Sequence, residues 1–371
     1  MLLTVNEQAF FALTRAGLWE KDVQFSAFDH VDFSEIYNIA EKQSTLGLIA
    51  AGFEHVVGVK APKETVLQFV GQALQLEQRN KAMNNFIASL VHTIKAADIY
   101  ALLVKGQGVA QCYATPLWRA CGDVDLLLDK DDYKRAKLLL TPLAKYVDKE
   151  NVSNLHQALT IENWEVELHG TLRTKLGKRI DKEIDYIQTE AFGNNRKRIW
   201  HNAQTDIYLP SADDDIIFVF THILQHYFHG GIGLRQICDW CRLLWNFHNE
   251  IDIPLLESRL KRMGLLPKWK AFASLAVNWL GMPYDAMPFY SSDKVWVTKS
   301  NKMITLILES GNFGHGRDMS FKKKYPWIIS KLISFWVYFR YSIIQFSIFP
   351  VDAIKGCWTI MLSGVKAAVN K

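Results

Sequence analysis

"RACGDVDLLLDKDD", residues 119–132, is the stretch on which the fold turns. In a β-strand alternate side chains share a face. Asp123 and Asp125 would then project together with their bases roughly 6–7 Å apart, while Val124, Leu126 and Leu128 face the other way. Like charges so placed repel each other unless something positive lies between them. A divalent cation is the commonest such partner, because Mg²⁺ takes hard oxygen ligands and is often held by one or two carboxylates together with substrate phosphates.

The flanking segments add to this constellation. Upstream, "LLVKGQGVAQCYATPLWR" (102–119) reads as an apolar strand that ends in Lys105-Gly106, then a short helix containing Gln107, then a loop with Pro116 and Arg119. Glycine at a strand-to-helix turn lets backbone N–H groups approach a phosphate closely, and Lys105 and Arg119 would neutralise further phosphate charge. Downstream, "NWEVELHG" (163–170) places Glu165, Glu167 and His169 at alternate positions. A neighbouring strand of this kind would bring a third carboxylate to the pair. Glu167 is the expected donor, with Glu165 on the same face as the alternative. His169 would either reach a phosphate or the acceptor hydroxyl, or hold Glu167 by a hydrogen bond.

The order of strand, "KG", helix, loop arginine, "GDVDLLL", helix and "VELH" resembles the nucleotidyltransferase superfamily that includes DNA polymerase beta. It resembles more closely a bacterial family of largely uncharacterised nucleotidyltransferases associated with surface-polysaccharide clusters. "THILQHYFHG" (221–230) and "GLRQICDW" (233–240) are similar to that family's C-terminal half, so the resemblance spans about residues 90–250. It implies an α+β fold, a small mixed-sheet nucleotidyltransferase core flanked by helical regions. It also implies transfer of an NMP group from an NTP to an unidentified acceptor hydroxyl or phosphate. Carried over to this sequence, Asp123, Asp125 and Glu167 would be catalytic and would bind Mg²⁺ or Mn²⁺. Lys105, Gly106, Gln107, Arg119 and His169 would meet the nucleotide. The superfamily usually carries serine or glycine where Gln107 follows Gly106, and this departure motivates a second reading, a non-catalytic nucleotide-binding or scaffold protein of a membrane-associated polysaccharide assembly. A third is an antitoxin-like nucleotidyltransferase that modifies a protein partner.

Along the chain, hydrophobic periodicity predicts helices over residues 1–98, an α/β core over 99–210, a second helical domain over 211–316 and a basic, aromatic, amphipathic tail over 317–371. The net charge is +5, yet residues 317–371 alone hold nine Lys and Arg against two Asp. The basic excess is therefore a property of the tail, and no general nucleic-acid surface is expected. The longest uncharged run there, between Arg340 and Asp352, is eleven residues, short of the roughly 20 that a spanning helix needs. Such a tail would either lie on an anionic membrane surface or pack on the protein itself. The N-terminal stretch has no basic leader ahead of a long apolar run, so a cytoplasmic protein is expected, peripheral at the inner face of the membrane if the tail binds there. The odd, scattered set of five cysteines fits reduced thiols. His222 and His226, spaced i, i+4, share a face that could hold a metal but are expected to pack near the cleft, and Arg235 and Asp239 would either pair along one helix, the favoured reading, or line the cleft.

Overall fold

The computed structural model describes residues 3–28, 30–58, 60–193, 196–229, 231–312 and 327–353. Three helices open it, α1 (Val5–Trp19), α2 (Phe33–Lys42) and α3 (Leu46–Phe53), and a two-residue parallel pair joins β1 (Val23–Gln24), after α1, to β2 (Val56–Val57), after α3. Thr4 starts α1 through a reciprocal capping box with Glu7, which satisfies two of the donors a helix N-terminus leaves open. The long helix α4 (Lys63–Ala96) follows, entered through Pro62, where a missing backbone N–H costs nothing.

The core then unfolds in order: β3 (Ala101–Val104), α5 (Gly106–Ala110), β4 (Asp123–Leu128), α6 (Lys130–Leu140), β5 (Ala144–Val147), β6 (His156–Ile161), β7 (Trp164–His169) and α7 (Lys178–Gly193). The remaining acidic residues of the opening quotation are accounted for here. Asp129 caps α6 by accepting from the backbone N–H groups of Asp131 and Asp132, and these two lie in its first turn, where negative charge complements the helix dipole. A hairpin of β8 (Lys197–Asn202) and β9 (Thr205–Pro210) leads to the C-terminal helices α8 (Ala212–His229), α9 (Leu234–Asn246), α10 (Ile253–Met263), α11 (Leu266–Leu280), α12 (Lys294–Ser310) and α13 (Trp327–Ile348).

The five-stranded sheet has the order β3-β4-β7-β6-β5. β4 and β7 run parallel, and the other neighbours are antiparallel. Alternation along β4 and β3 divides the two faces. Leu103, Val124, Leu126 and Leu128 pack with Met83, Ile87 and Leu90 of α4 and with Tyr133 and Leu140 of α6. Leu102, Val104 and Leu127 face a larger core built by the N- and C-terminal helices together. Asp123 and Asp125 share the face of Leu127, so the carboxylates stand at the polar end of a surface that the C-terminal helices cover.

The N-terminal helices are stitched to the C-terminal ones. Trp19 Nε1 donates to Leu280 O (2.5 Å), Arg242 Nη1 to Leu18 O (2.7 Å) and Gln43 Nε2 to Ile307 O (3.1 Å). α1 and α3 cross so closely that a Cβ at Gly17 would lie 2.1 Å from Leu48 O, which only glycine permits.

Part of the tail lies outside the described residues, including Arg317 and Lys322 to Lys324. The end of α13 packs on the body: Ile348 and Phe349 are buried, Gln345 Nε2 donates to Tyr227 O (3.0 Å) and Lys268 meets Asp352 (2.9 Å). Trp336, Phe339, Ile343 and Phe346, at helical spacing, are exposed. No helix among the described residues is long and apolar enough to cross a membrane.

Candidate active site

A cavity of about 440 Å³ opens where the polar end of the sheet meets α8 and α9. Its floor comes from the two parallel strands. The register sets Asp125 beside Glu167 and Asp123 beside Glu165, so the parallel pairing, not local sequence, brings the third carboxylate to the first two. Asp123, Asp125 and Glu167 line the cavity; Glu165 is exposed and outside the lining.

Lys105 supplies the nearest positive charge. β3 ends one residue earlier and the chain turns through φ +57° at Lys105 and +40° at Gly106, a region a lysine occupies only under constraint from its surroundings. The turn sets Lys105 Nζ 2.8 Å from Asp125 Oδ1. A Cβ at Gly106 would stand 3.3 Å from Cys121 Sγ and 3.4 Å from Asp123 O, so glycine serves both the dihedral and the close approach to β4.

Two histidines complete the floor. His169 Nε2 lies 2.8 Å from Asp125 Oδ1 and 3.2 Å from Glu167 Oε2, and His156 Nε2 lies 3.3 Å from the same Glu167 oxygen. His156 opposes His169 across the β6–β7 pair.

The electrostatics follow from these contacts. Burial pushes the Asp125 and Glu167 carboxyls up, but Lys105 and His169 on Asp125, and the two histidines on Glu167, outweigh it and hold both below the usual carboxylate range. Burial alone would depress Lys105 and His169; the facing carboxylates reverse that and raise both. Asp123 differs. Its carboxylate has no hydrogen bond among the described residues, and burial together with the neighbouring Asp125 charge outweighs Lys105 and Arg235 and raises its pKa. The floor thus carries one carboxylate whose charge burial and Asp125 disfavour by more than Lys105 and Arg235 favour it, an arrangement whose donor chemistry fits a bound cation.

The other expected residues are placed as follows. Arg119 lines the cavity, but Asp239 holds its guanidinium in a fork (Nε to Oδ1 3.0 Å, Nη2 to Oδ2 2.6 Å), and Tyr113 Oη donates to the same Oδ1 (2.8 Å). The expected Arg235–Asp239 helix pair is therefore not made. Arg235 turns instead to donate to the Ala120 carbonyl, since the buried fork from another segment outcompetes an i, i+4 contact. Gln107 is outside the cavity lining: its side chain is buried and donates to Asn80 Oδ1 on α4 (2.9 Å). His222 and His226 line the cavity from α8 with ring centroids 4.3 Å apart. Cys112, Cys121, Cys238 and Cys241 are buried free thiols.

Among the lining residues that the sequence reading did not single out are the ionisable His156, Arg173 and Lys175. The run "TLRTK" (171–175), directly after the His169 strand, was the available signal for the last two. His156 begins its strand after a turn and carries no local signal.

A family model described as uncharacterised nucleotidyltransferase matches residues 29–281. The chain belongs to this nucleotidyltransferase family. The match runs from the start of the α2 region to the end of α11 and so includes the whole sheet and every residue of the cavity floor. Neither a curated protein nor a solved structure matches the chain. Membership supports an enzyme of the nucleotidyltransferase kind, with a general nucleotidyl-transfer role.

Proposed function

We propose that the cavity is the active site of a metal-dependent nucleotidyltransferase of polymerase-beta type, which moves an NMP group from an NTP to an acceptor hydroxyl or phosphate. The observation that carries this reading is the meeting of Asp123, Asp125 and Glu167, from two parallel strands, at one cavity floor beside Lys105. In the reaction an acceptor oxygen forms a bond to the α-phosphorus, the bond to the bridging β-phosphate oxygen breaks, and pyrophosphate leaves while the acceptor's proton passes to water.

Asp123, Asp125 and Glu167 would hold Mg²⁺ or Mn²⁺, which when bound lowers the pKa of the acceptor hydroxyl and stabilises the departing pyrophosphate. The chain's own residues do the rest. Lys105 lies where it neutralises phosphate charge next to the carboxylates, and Lys175 and Arg173, exposed at the rim, receive the outer phosphates, Arg173 with the donors left over from its fork with Asp185 (Nε to Oδ1 2.7 Å). Arg119, immobilised by Asp239, shapes the wall. His169 Nε2 stands between Asp125 and Glu167, 2.8 and 3.2 Å from an oxygen of each. Glu165 is exposed and apart from the lining, which favours Glu167 as the third ligand. Gln107 has a structural role on α4, so its presence after Gly106 does not argue for a non-catalytic scaffold.

Purified protein incubated with each labelled NTP, Mg²⁺ and cell extract is expected to release pyrophosphate, and the Asp123→Asn/Asp125→Asn variant to release none. Equal release from both would remove the assignment. For location, the exposed Trp336, Ile343 and Phe346 on α13, with the basic residues that precede them in sequence, support a resting place on an anionic membrane surface.

A further inference from the structure

The donors around Glu167 are not the all-oxygen set that Mg²⁺ prefers. Nε2 of His156 and Nε2 of His169 stand 3.3 and 3.2 Å from Glu167 Oε2, and each of the three residues offers a ligand atom within 4.8 Å of the other two. Donors about 2.0–2.1 Å from one ion are about 3.3 Å apart along a tetrahedral edge and about 2.9 Å apart along an octahedral one. The two spacings to Glu167 thus match ligands that share an ion without rearrangement of the strands. Asp125 Oδ1, 2.8 Å from His169 Nε2, is a fourth donor within reach.

These groups come from three strands in fixed register, with His156 opposite His169 on β6 and β7 and Asp125 beside Glu167 on β4 and β7. All four line the open cavity. A brace for Glu167 would need only one histidine. Two imidazoles converging on a single carboxylate oxygen make a nitrogen-and-oxygen pocket, and imidazole selects first-row transition ions where carboxylate and water select Mg²⁺.

We infer that His156, Glu167 and His169 form a transition-metal site, so that the cation held at the Glu167 side of the cavity is Mn²⁺, Co²⁺ or Zn²⁺ in preference to Mg²⁺. This rests on the metal-dependent reading of the cavity and names the cation of that same site. Asp123, which pairs with no histidine among the described residues, remains the all-oxygen side of the floor.

The test uses the full chain stripped with chelator. Co²⁺ added to it is expected to give visible absorption of nitrogen-ligated cobalt, and spin-echo spectroscopy of the Mn²⁺-loaded protein is expected to show coupling to imidazole nitrogen. His156→Ala should weaken Mn²⁺ binding by at least about tenfold, the lower end of what loss of even an outer partner of a ligand costs. His156 lies at the cavity edge, and a thermal melt of the variant reports its folding. If the variant does not fold, the nitrogen coupling in the unsubstituted protein decides. Absence of nitrogen coupling, or Mn²⁺ affinity unchanged in a folded His156→Ala protein, overturns the site. Pyrophosphate release with Mg²⁺ alone, together with no nitrogen coupling, would sink this inference and leave the transfer reaction standing. Nitrogen coupling without pyrophosphate release from any NTP would do the reverse.

Discussion

Substituting Asp239 by asparagine tests whether the wall of the cavity is the dry, preformed surface its geometry describes. Asp239 and Arg119 have side chains only 6% and 5% exposed, and two hydrogen bonds join them. Asparagine keeps one oxygen for Tyr113 or the guanidinium but removes the charge, leaving Arg119 buried with a cation that nothing offsets. Breaking a buried pair from one side costs about 3–5 kcal/mol, whereas the same pair in water would contribute under about 1 kcal/mol. The gap is wide enough to separate the two cases by urea denaturation of Asp239→Asn, Arg119→Met and the double variant. The double variant should recover most of the loss, because removing both charges leaves no orphan. Arg119→Lys should not substitute for arginine, since a single ammonium cannot make the fork. A loss below about 1 kcal/mol for Asp239→Asn, or losses that simply add in the double variant, would refute the reasoning.

Four further outcomes are expected. Lys105→Met should lower kcat/KM for the NTP by about 10²–10³, as removal of an oriented charge beside the reacting phosphate does; initial-rate kinetics check it, and a change under threefold would contradict the role. Gly17→Ala forces a Cβ onto the Leu48 carbonyl and should destabilise by about 1–3 kcal/mol, read from the midpoint of denaturation, with an unchanged midpoint as the contrary result. Burial, reinforced by Lys105 and His226, holds His222 neutral well below the ordinary histidine range. The unfolded chain binds a proton there near pH 6.5 while the folded chain does not, so stability falls as pH drops below about 6.5, by up to about 1.4 kcal/mol per unit; His222→Gln should flatten that slope, and an identical slope would exclude it. Trp336→Glu/Phe346→Glu should reduce sedimentation with anionic liposomes without changing pyrophosphate release, and undiminished sedimentation would remove α13 from the membrane contact.

What could be read in the sequence follows from periodicity. A period of two put Asp123 with Asp125 and Glu167 with His169 on common faces before any strand was paired, and Pro62 marked the entry to the long α4. Pairing was beyond that reach. The contact between Asp125 and Glu167 depends on β4 and β7 lying parallel across an intervening helix and two strands, and His156 joins them only through the β6–β7 register. β5, an edge strand with mostly exposed side chains, and the polar β8 lack the alternation that advertises a half-buried strand. The Arg235–Asp239 expectation failed for the same reason: helical spacing gave a plausible neighbour, and a distant segment delivered Arg119 with better geometry and deeper burial. Gln107 stood next to the expected phosphate turn in sequence, yet helical rotation points it to Asn80.

The most direct measurement is a crystal structure of the protein with a nonhydrolysable NTP and Mn²⁺. A triphosphate is expected to sit in this cavity with Lys105 and the rim residues Arg173 and Lys175 against its oxygens, and manganese density to join Asp123, Asp125 and Glu167. A nucleotide bound elsewhere, or a triphosphate in the cavity with no metal contact to any of the three carboxylates, would contradict this expectation.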